Sequence, residues 1–218
     1  VSLNVISDLD NQIANDRNFK KEYFFDTVLD IGKYHESQYA LPYEVVPTLM
    51  FVNKTLLEQE GIEVPNENWT WSTMEQIVDQ ITKDKNGDGV IDQFGTYNYT
   101  WKEAVYSNGA ELFDKDGKKA FFSGTKVNEA VKFVKKLNEM KGGREVTQND
   151  FYSGNVAFMP LAFSEYRTYK TYPYKIKKYT SFQWDCTSMP AGPGGHNTSE
   201  VDALLMTIGN KSKQKELA

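Results

Sequence analysis

The chain has 218 residues, a net charge of −5, and 39% apolar and 14% aromatic residues, enough to bury the core of one domain or one and a half. That charge supplies no basic stripe for phosphates, which argues against a nucleic acid as partner. The single cysteine, Cys186, leaves the redox compartment open, and no apolar run reaches the roughly 18 residues that span a bilayer.

The sequence begins at Val1 and stops at Lys215-Glu216-Leu217-Ala218 inside a helical pattern, so it reads as a piece of a longer protein whose leader would have been cut away. Through its first stretch Phe19, Tyr23, Val28 and Ile31 recur at loosely helical spacing. The apolar run Thr48-Leu49-Met50-Phe51-Val52 predicts a buried strand. A short helix follows from Lys54 and ends at Gly61, which can take the left-handed conformation of a helix C-cap. Ser72 and Glu75 have the spacing of a capping box, at the start of a helix whose Met74, Ile77, Val78 and Ile81 share one face. A second helix carries Val127, Ala130, Val131, Val134 and Leu137, and closes at Gly142-Gly143. Strands are predicted at 117–122, 155–160, 180–186 and 201–208, and their alternation with helices indicates an α/β architecture. Pro190-Ala191-Gly192-Pro193-Gly194-Gly195 is a loop or linker.

Between the first strong helix and the strand-like Gln93-Phe94-Gly95-Thr96-Tyr97 lies Asp84 to Asp92, DKNGDGVID. Calcium takes roughly six to eight oxygens at about 2.3–2.6 Å, and a calcium loop supplies them mostly from alternate positions. Asp84, Asn86 and Asp88 would fill the first three, the carbonyl of Val90 the fourth and Asp92 the next. Gly95 stands where a bidentate glutamate belongs, and no helix leads out, which argues against a sensor loop. Two readings stay open: a structural calcium site, or a solvated turn of Asx and Gly residues.

In order along the chain stand Tyr39-Ala40-Leu41-Pro42, Leu49-Met50-Phe51-Val52-Asn53-Lys54, Gly61-Ile62, Trp69-Thr70-Trp71 and the DKNGDGVIDQFG loop. Asn108-Gly109-Ala110-Glu111-Leu112-Phe113, Phe151-Tyr152-Ser153-Gly154-Asn155-Val156-Ala157-Phe158-Met159, Met189-Pro190-Ala191-Gly192-Pro193-Gly194-Gly195 and Lys211-Ser212-Lys213-Gln214-Lys215-Glu216-Leu217-Ala218 follow. Their shared order and spacing, over nearly the whole chain, resemble the extracellular solute-binding proteins of ABC sugar importers, the maltose-binding-protein-like group. No single motif among them is decisive.

The resemblance implies a periplasmic-binding-protein-like type II fold, in which two α/β lobes, each a mixed sheet flanked by helices, hold the ligand between them. It implies that residues 1–45 end the opening segment of the first lobe and include a crossing strand, that 46–200 are most of the second lobe, and that 201–218 are the return crossing and the start of a helix. The opening half of lobe one and the closing helices of lobe two would lie outside this sequence. It also implies an extracytoplasmic monomer, periplasmic or a cell-surface lipoprotein, with its signal segment outside this chain. Such a protein captures a mono- or oligosaccharide and delivers it to the transmembrane subunits of an ABC permease, with no cofactor required. Loops of the DxNGDGxxD kind occur in this family, some of them binding calcium away from the ligand cleft, so the resemblance implies that calcium here would be a staple and not a switch.

Sugars present apolar C–H faces ringed by hydroxyls, which call for aromatic platforms and for planar amides or carboxylates. By landmark, three segments approach the cleft. The crossing strand offers Tyr43 and Glu44; the loop after Gly95 offers Asn98, Tyr99 and Trp101; the turn after Phe158-Met159 offers Phe163, Glu165 and Tyr166, with Arg167 beside them. Tyr99 and Trp101 compete with places in the core, and Glu44 and Glu165 with an ordinary solvated surface. Trp69 and Trp71, at a helix start, are read as packing aromatics, and Trp184 and Asp185 as sheet residues. Asp202 departs from the family's small residue and could accept a hydroxyl or a cation, while His35 and His196 lie in turns with no second metal ligand nearby in sequence. No nucleophile or acid–base motif marks an enzyme. The competing functions are a binding protein for a non-sugar solute, a glycosidase with paired carboxylates, and a calcium-responsive interaction protein.

Overall fold

A computed structural model describes residues 4–114, 116–165 and 182–217. In chain order the elements are α1 (Asp10–Asn15), α2 (Asp26–Asp30), β1 (Lys33–Tyr34), β2 (Ser37–Gln38), β3 (Leu41–Asn53), α3 (Lys54–Gln59), α4 (Trp71–Ile81) and β4 (Phe94–Thr96). They continue with α5 (Trp101–Ser107), α6 (Thr125–Glu139), α7 (Gln148–Tyr152), β5 (Val156–Ala162), β6 (Trp184–Thr187) and β7 (Val201–Met206). The chain divides into two compact units, Val1–Val46 with Val201–Ala218, and Pro47–Glu200.

In the first unit, β1 and β2 form a small antiparallel ladder pairing Lys33 with Gln38. The buried Gln38 amide donates to the carbonyls of Leu29 at 2.8 Å and Ala40 at 2.7 Å, so a polar side chain sits inside without an unmet donor. The loose helical spacing of the first residues resolves into short pieces, because none of their apolar residues but Leu9 and Leu29 finds a buried face.

The second unit is built on a mixed sheet ordered β4-β5-β3-β6. β4 runs parallel to β5, and β3 runs antiparallel to both β5 and β6. Two cores lie against it. Met50 and Val52 point into one, with Leu57, Met74, Ile81 and Leu137; Phe51 points into the other, with Phe94, Phe151 and Met159. This is the period-two alternation of a strand with both faces covered.

Helix α4 buries Trp71, Met74, Ile77, Val78 and Ile81, the stripe expected from its spacing, and each such side chain contributes roughly 1.5–3 kcal/mol on leaving water. Its cap differs from the expected Ser72–Glu75 box. Trp71 donates its backbone N–H to Ala191 at 2.9 Å, the chain stays extended through Thr70, and the Thr70 hydroxyl caps the N–H of Thr73. Helix α6 buries Phe133 along with Val127, Ala130, Val134 and Leu137, and leaves Val131 exposed, so the apolar face is turned slightly from the one the spacing suggested. No strand forms at 117–122: the Asp114 carboxylate accepts from the N–H groups of Lys118 and Lys119, a turn closes there, and only an isolated bridge pairs Phe113 with Ala120. Among the described residues no helix is long and apolar enough to cross a membrane.

Gly95 sits in β4 with no room for a side chain: a Cβ there would lie 2.5 Å from the Cα of Val78 and 2.7 Å from its Cβ. Gly95→Ala is therefore expected to lower the unfolding free energy by about 1–3 kcal/mol in urea titrations, the usual cost of forcing atoms into a filled core. An unchanged midpoint would mean that α4 slides freely on the sheet.

Candidate ligand-binding site

Parallel pairing of β4 with β5 (Phe94 with Val156, Thr96 with Phe158) brings the carboxyl ends of both strands to the same end of the sheet. Antiparallel pairing of β5 with β3 (Thr48 with Ala162) brings the start of the second unit's share of β3 to that end as well. The loops that leave the two carboxyl ends carry Asn98, on the way into α5, and Phe163 and Glu165, in a 3-10 turn directly after β5. Solutes bind most often outside the carboxyl ends of strands in open α/β sheets.

The structure brings together only part of the expected set. Asn98 is exposed and takes a left-handed backbone conformation, φ 59°, which an asparagine tolerates better than a branched or bulky residue. Phe163 is exposed and Glu165 half-buried. Tyr43 and Glu44 are exposed on the part of β3 that belongs to the first unit. Tyr166 and Arg167 lie outside the described residues.

Tyr99 corrects the expectation. It is 4% exposed, and its ring meets Phe133 edge-on at 6.1 Å. Its hydroxyl accepts from the Trp71 indole N–H at 3.0 Å and lies 3.2 Å from the Ser107 hydroxyl. Burial pushes the phenol up to about 12, so it keeps its proton across the physiological range. A ring enclosed in this way offers no platform to a sugar. Its apolar body finds a full set of neighbours inside, and its polar tip finds two partners there.

Trp101 is 45% exposed, and its ring helps to line an open groove of about 950 Å³ with Phe122, Val127, Val131 and Val134. Lys135, Asn138 and Glu139 are the polar members of that groove. Its walls are mainly apolar, a poor match to a molecule ringed with hydroxyls. The groove is therefore not the site its volume alone would suggest, and the ends of β4 and β5 carry the better chemistry. Trp69 and Trp71 are buried, as packing aromatics should be: the Trp69 indole donates to the Ser188 carbonyl at 2.8 Å, and Trp71 stacks on Phe133 at 4.3 Å.

Sequence reasoning missed a polar group beside this end. The Lys102 ammonium, in the first turn of α5, pairs with the Glu200 carboxylate, and hydrogen bonding to it raises the lysine pKa. The backbone N–H of Thr48 donates to the Glu200 carbonyl at 2.8 Å, and Thr48, Lys102, Tyr106 and Glu200 line one small cleft. No local pattern announces residues that meet across about 100 positions of chain.

The Asp84 to Asp92 loop closes on its own backbone. Asp84 accepts from Gly87 and from Gly89, each at 2.6 Å; Asn86 accepts from Asp88 at 2.9 Å, Asp88 from Val90 at 2.8 Å, and Asp92 from Lys85 at 2.8 Å. Among the described residues no group of three or more His, Cys, Asp and Glu side chains comes together in a metal-holding arrangement. The packing of Gly95 against Val78 leaves the twelfth position of the loop without space for a carboxylate. The donor set therefore fits calcium only weakly. Cys186, half-buried beside Asp185, has its thiol pushed up to about 12 by burial first and the carboxylate second, which favours the thiol over the thiolate at neutral pH.

The carboxyl ends of β4 and β5 thus present an amide, an aromatic ring and a carboxylate at one end of a mixed sheet. The chain belongs to the bacterial extracellular solute-binding proteins, matching that family over residues 3–218. Curated proteins offer no match to the sequence. Among solved structures it is similar to the ABC substrate-binding protein Lmo0181 from Listeria monocytogenes in complex with cycloalternan, at TM-score 0.74 and 20% identity. It is also similar to an ABC transporter solute-binding protein from Thermotoga lettingae bound with α-D-tagatose (TM-score 0.72, 17% identity) and to the GacH receptor of Streptomyces glaucescens, solved in complex with acarbose (TM-score 0.70, 21% identity). Each comparison covers 99% of this chain and 55%, 56% and 54% of those proteins respectively, so the chain spans about half their length.

Backbone N–H groups, that of Gly89 first, hold the Asp84 carboxyl below its ordinary range. A carboxylate lowered on folding stabilises above its unfolded pKa, near about 3.9, and that stabilisation is lost as pH falls through the folded value. Asp84→Asn is accordingly expected to unfold at lower urea than the wild type at about pH 7 and by a smaller margin at about pH 2. Equal midpoints at both pH values would show that the turn does not need the charge.

Proposed function

We propose that the full-length protein is the substrate-binding component of an ABC importer, which captures a saccharide outside the membrane and delivers it to the permease. The observation that carries this reading is membership of the bacterial extracellular solute-binding family along nearly the whole chain. Binding rather than turnover is the family's business, and its members work outside the cytoplasm. The arrangement at the strand ends supports a hydroxyl-rich cargo: Asn98 supplies a planar amide that both donates and accepts, Glu165 a carboxylate acceptor and Phe163 an apolar face. Capture by closure of two lobes suits such a protein, because a ligand that touches both stabilises only the closed arrangement.

Calcium enters this reading as a weak staple of the 84–92 turn. The oxygens of Asp84, Asn86, Asp88 and Asp92, with the Val90 carbonyl, would hold it, and it would neutralise charge without touching the cargo.

The test is thermal unfolding of the full-length protein against mono- and oligosaccharides. A saccharide present at a hundred times its dissociation constant adds about 2.7 kcal/mol, a shift of a few degrees. Stabilisation by one saccharide class is the expected outcome; stabilisation by a peptide or another solute alone would overturn the sugar cargo and keep the binding protein. Calcium at about 10 mM is expected to add no more than a degree or two, and Asp88→Ala to remove that increment, because a site lacking its twelfth ligand is weak. No increment would leave the turn held by its own side-chain to backbone hydrogen bonds.

A further inference from the structure

The loop from Tyr97 to Thr100 is pinned on both sides of Asn98. Before it, the Tyr97 N–H donates to the Phe158 carbonyl at 3.0 Å and continues the β4–β5 ladder. After it, Thr100 caps α5 in a capping box with Glu103. Between these, Tyr99 turns inward and joins a hydrogen-bonded chain that runs through the core. The Trp71 indole N–H donates to the Tyr99 hydroxyl at 3.0 Å and to Ser107 Oγ at 3.2 Å. Ser107 Oγ donates in turn to the Ala104 carbonyl at 3.2 Å, which leaves the Tyr99 hydroxyl as the donor in its own 3.2 Å contact with Ser107. Ser107 is fully buried and Tyr99 nearly so, so water offers no substitute partner.

We propose that Tyr99 is the positioning residue of the ligand site: its buried hydroxyl ties the loop to Trp71 of α4 and Ser107 of α5, and so holds Asn98 in its left-handed conformation with its amide presented to solvent. This rests on the saccharide-binding reading for Asn98 and goes beyond it in assigning the site's order to a side chain that never touches the cargo. The geometry gives the reason. Asn98 is one of only three described non-glycine residues with positive φ, and such a conformation persists where its surroundings over-determine it. A site pre-ordered in this way loses less conformational freedom on binding.

The experiment uses full-length protein with Tyr99→Phe. Phenylalanine keeps the ring, and Trp71 keeps Ser107 as acceptor, so the unit is expected to fold. Amide hydrogen exchange of the ligand-free protein is expected to accelerate roughly fivefold or more over 97–101, the loss of about one hydrogen bond, and to stay unchanged in α6 and β5. Ser107→Ala, which alters nothing on the loop itself, is expected to reproduce that local acceleration. The dissociation constant of the saccharide that stabilises the wild type should weaken by a similar factor. Unchanged exchange over 97–101, or acceleration spread evenly through the second unit, would overturn the proposal. So would an unaltered dissociation constant together with a lowered unfolding temperature, the mark of a merely structural tyrosine. A wild type that binds no saccharide would overturn the cargo reading, while the exchange measurement still decides whether Tyr99 orders the loop.

Discussion

Strand β3 is hydrogen-bonded on both edges, to β5 from Thr48 to Val52 and to β6 from Met50 to Asn53, and this double pairing is the constraint on which the second unit depends. Once both edges are filled, residues 50 to 52 have only the two sheet faces for their side chains, and all three are fully buried. Each face then needs its own cover. Helices α3, α4, α5 and α6 supply one, and α7 with Val146 and Phe182 supplies the other. The end of β3 is treated as carefully as its middle: the buried Asn53 accepts from the Leu56 N–H to cap α3 and donates to the Gly154 carbonyl, so the strand-to-helix turn leaves no polar atom stranded.

The same pairing places the candidate site. Because β4 and β5 are parallel and β3 is antiparallel to β5, loops from distant parts of the chain emerge at one end of one rigid sheet. Beneath one of them, the Trp71–Phe133 stack and the edge contact of Tyr99 with Phe133 tie together the elements that carry Asn98 and Trp101. The division of labour is physical. Aromatic residues with a buried polar tip fix the loop, and the residues beside them, denied any space inside, face solvent. Loops held from below by a packed core suit binding, since the binding groups stay accessible while their backbone is ordered.

The fold class was legible because the signals that carry it are local. The apolar run around Met50, the stripes of α4 and α6 and the positive-φ Gly61 after α3 all have short-range causes, and the solute-binding resemblance came from the order of such pieces along the chain. Errors arose where a distant partner decided the outcome. Extended pairing to Ala191 moved the cap of α4 from Ser72 to Thr70, and a turn held by Asp114 prevented a strand at 117–122. Phe133, closing on Trp71, took the buried place that spacing had assigned to Val131.

By itself the sequence determined the buried strand around Met50, the helices α3, α4 and α6, that Trp69 and Trp71 pack, and the kind of protein to which the chain belongs, since periodicity, turn residues and landmark order are properties of neighbours in the chain. Only the tertiary structure decided that Tyr99 faces inward while Asn98 faces out, that Trp101 lies along α6, and that Lys102 meets Glu200. Adjacent residues such as Asn98 and Tyr99 share nearly every local signal, and what separates them is the position of a hydroxyl on Ser107 and an indole on Trp71, groups that only the folded chain brings within hydrogen-bond reach.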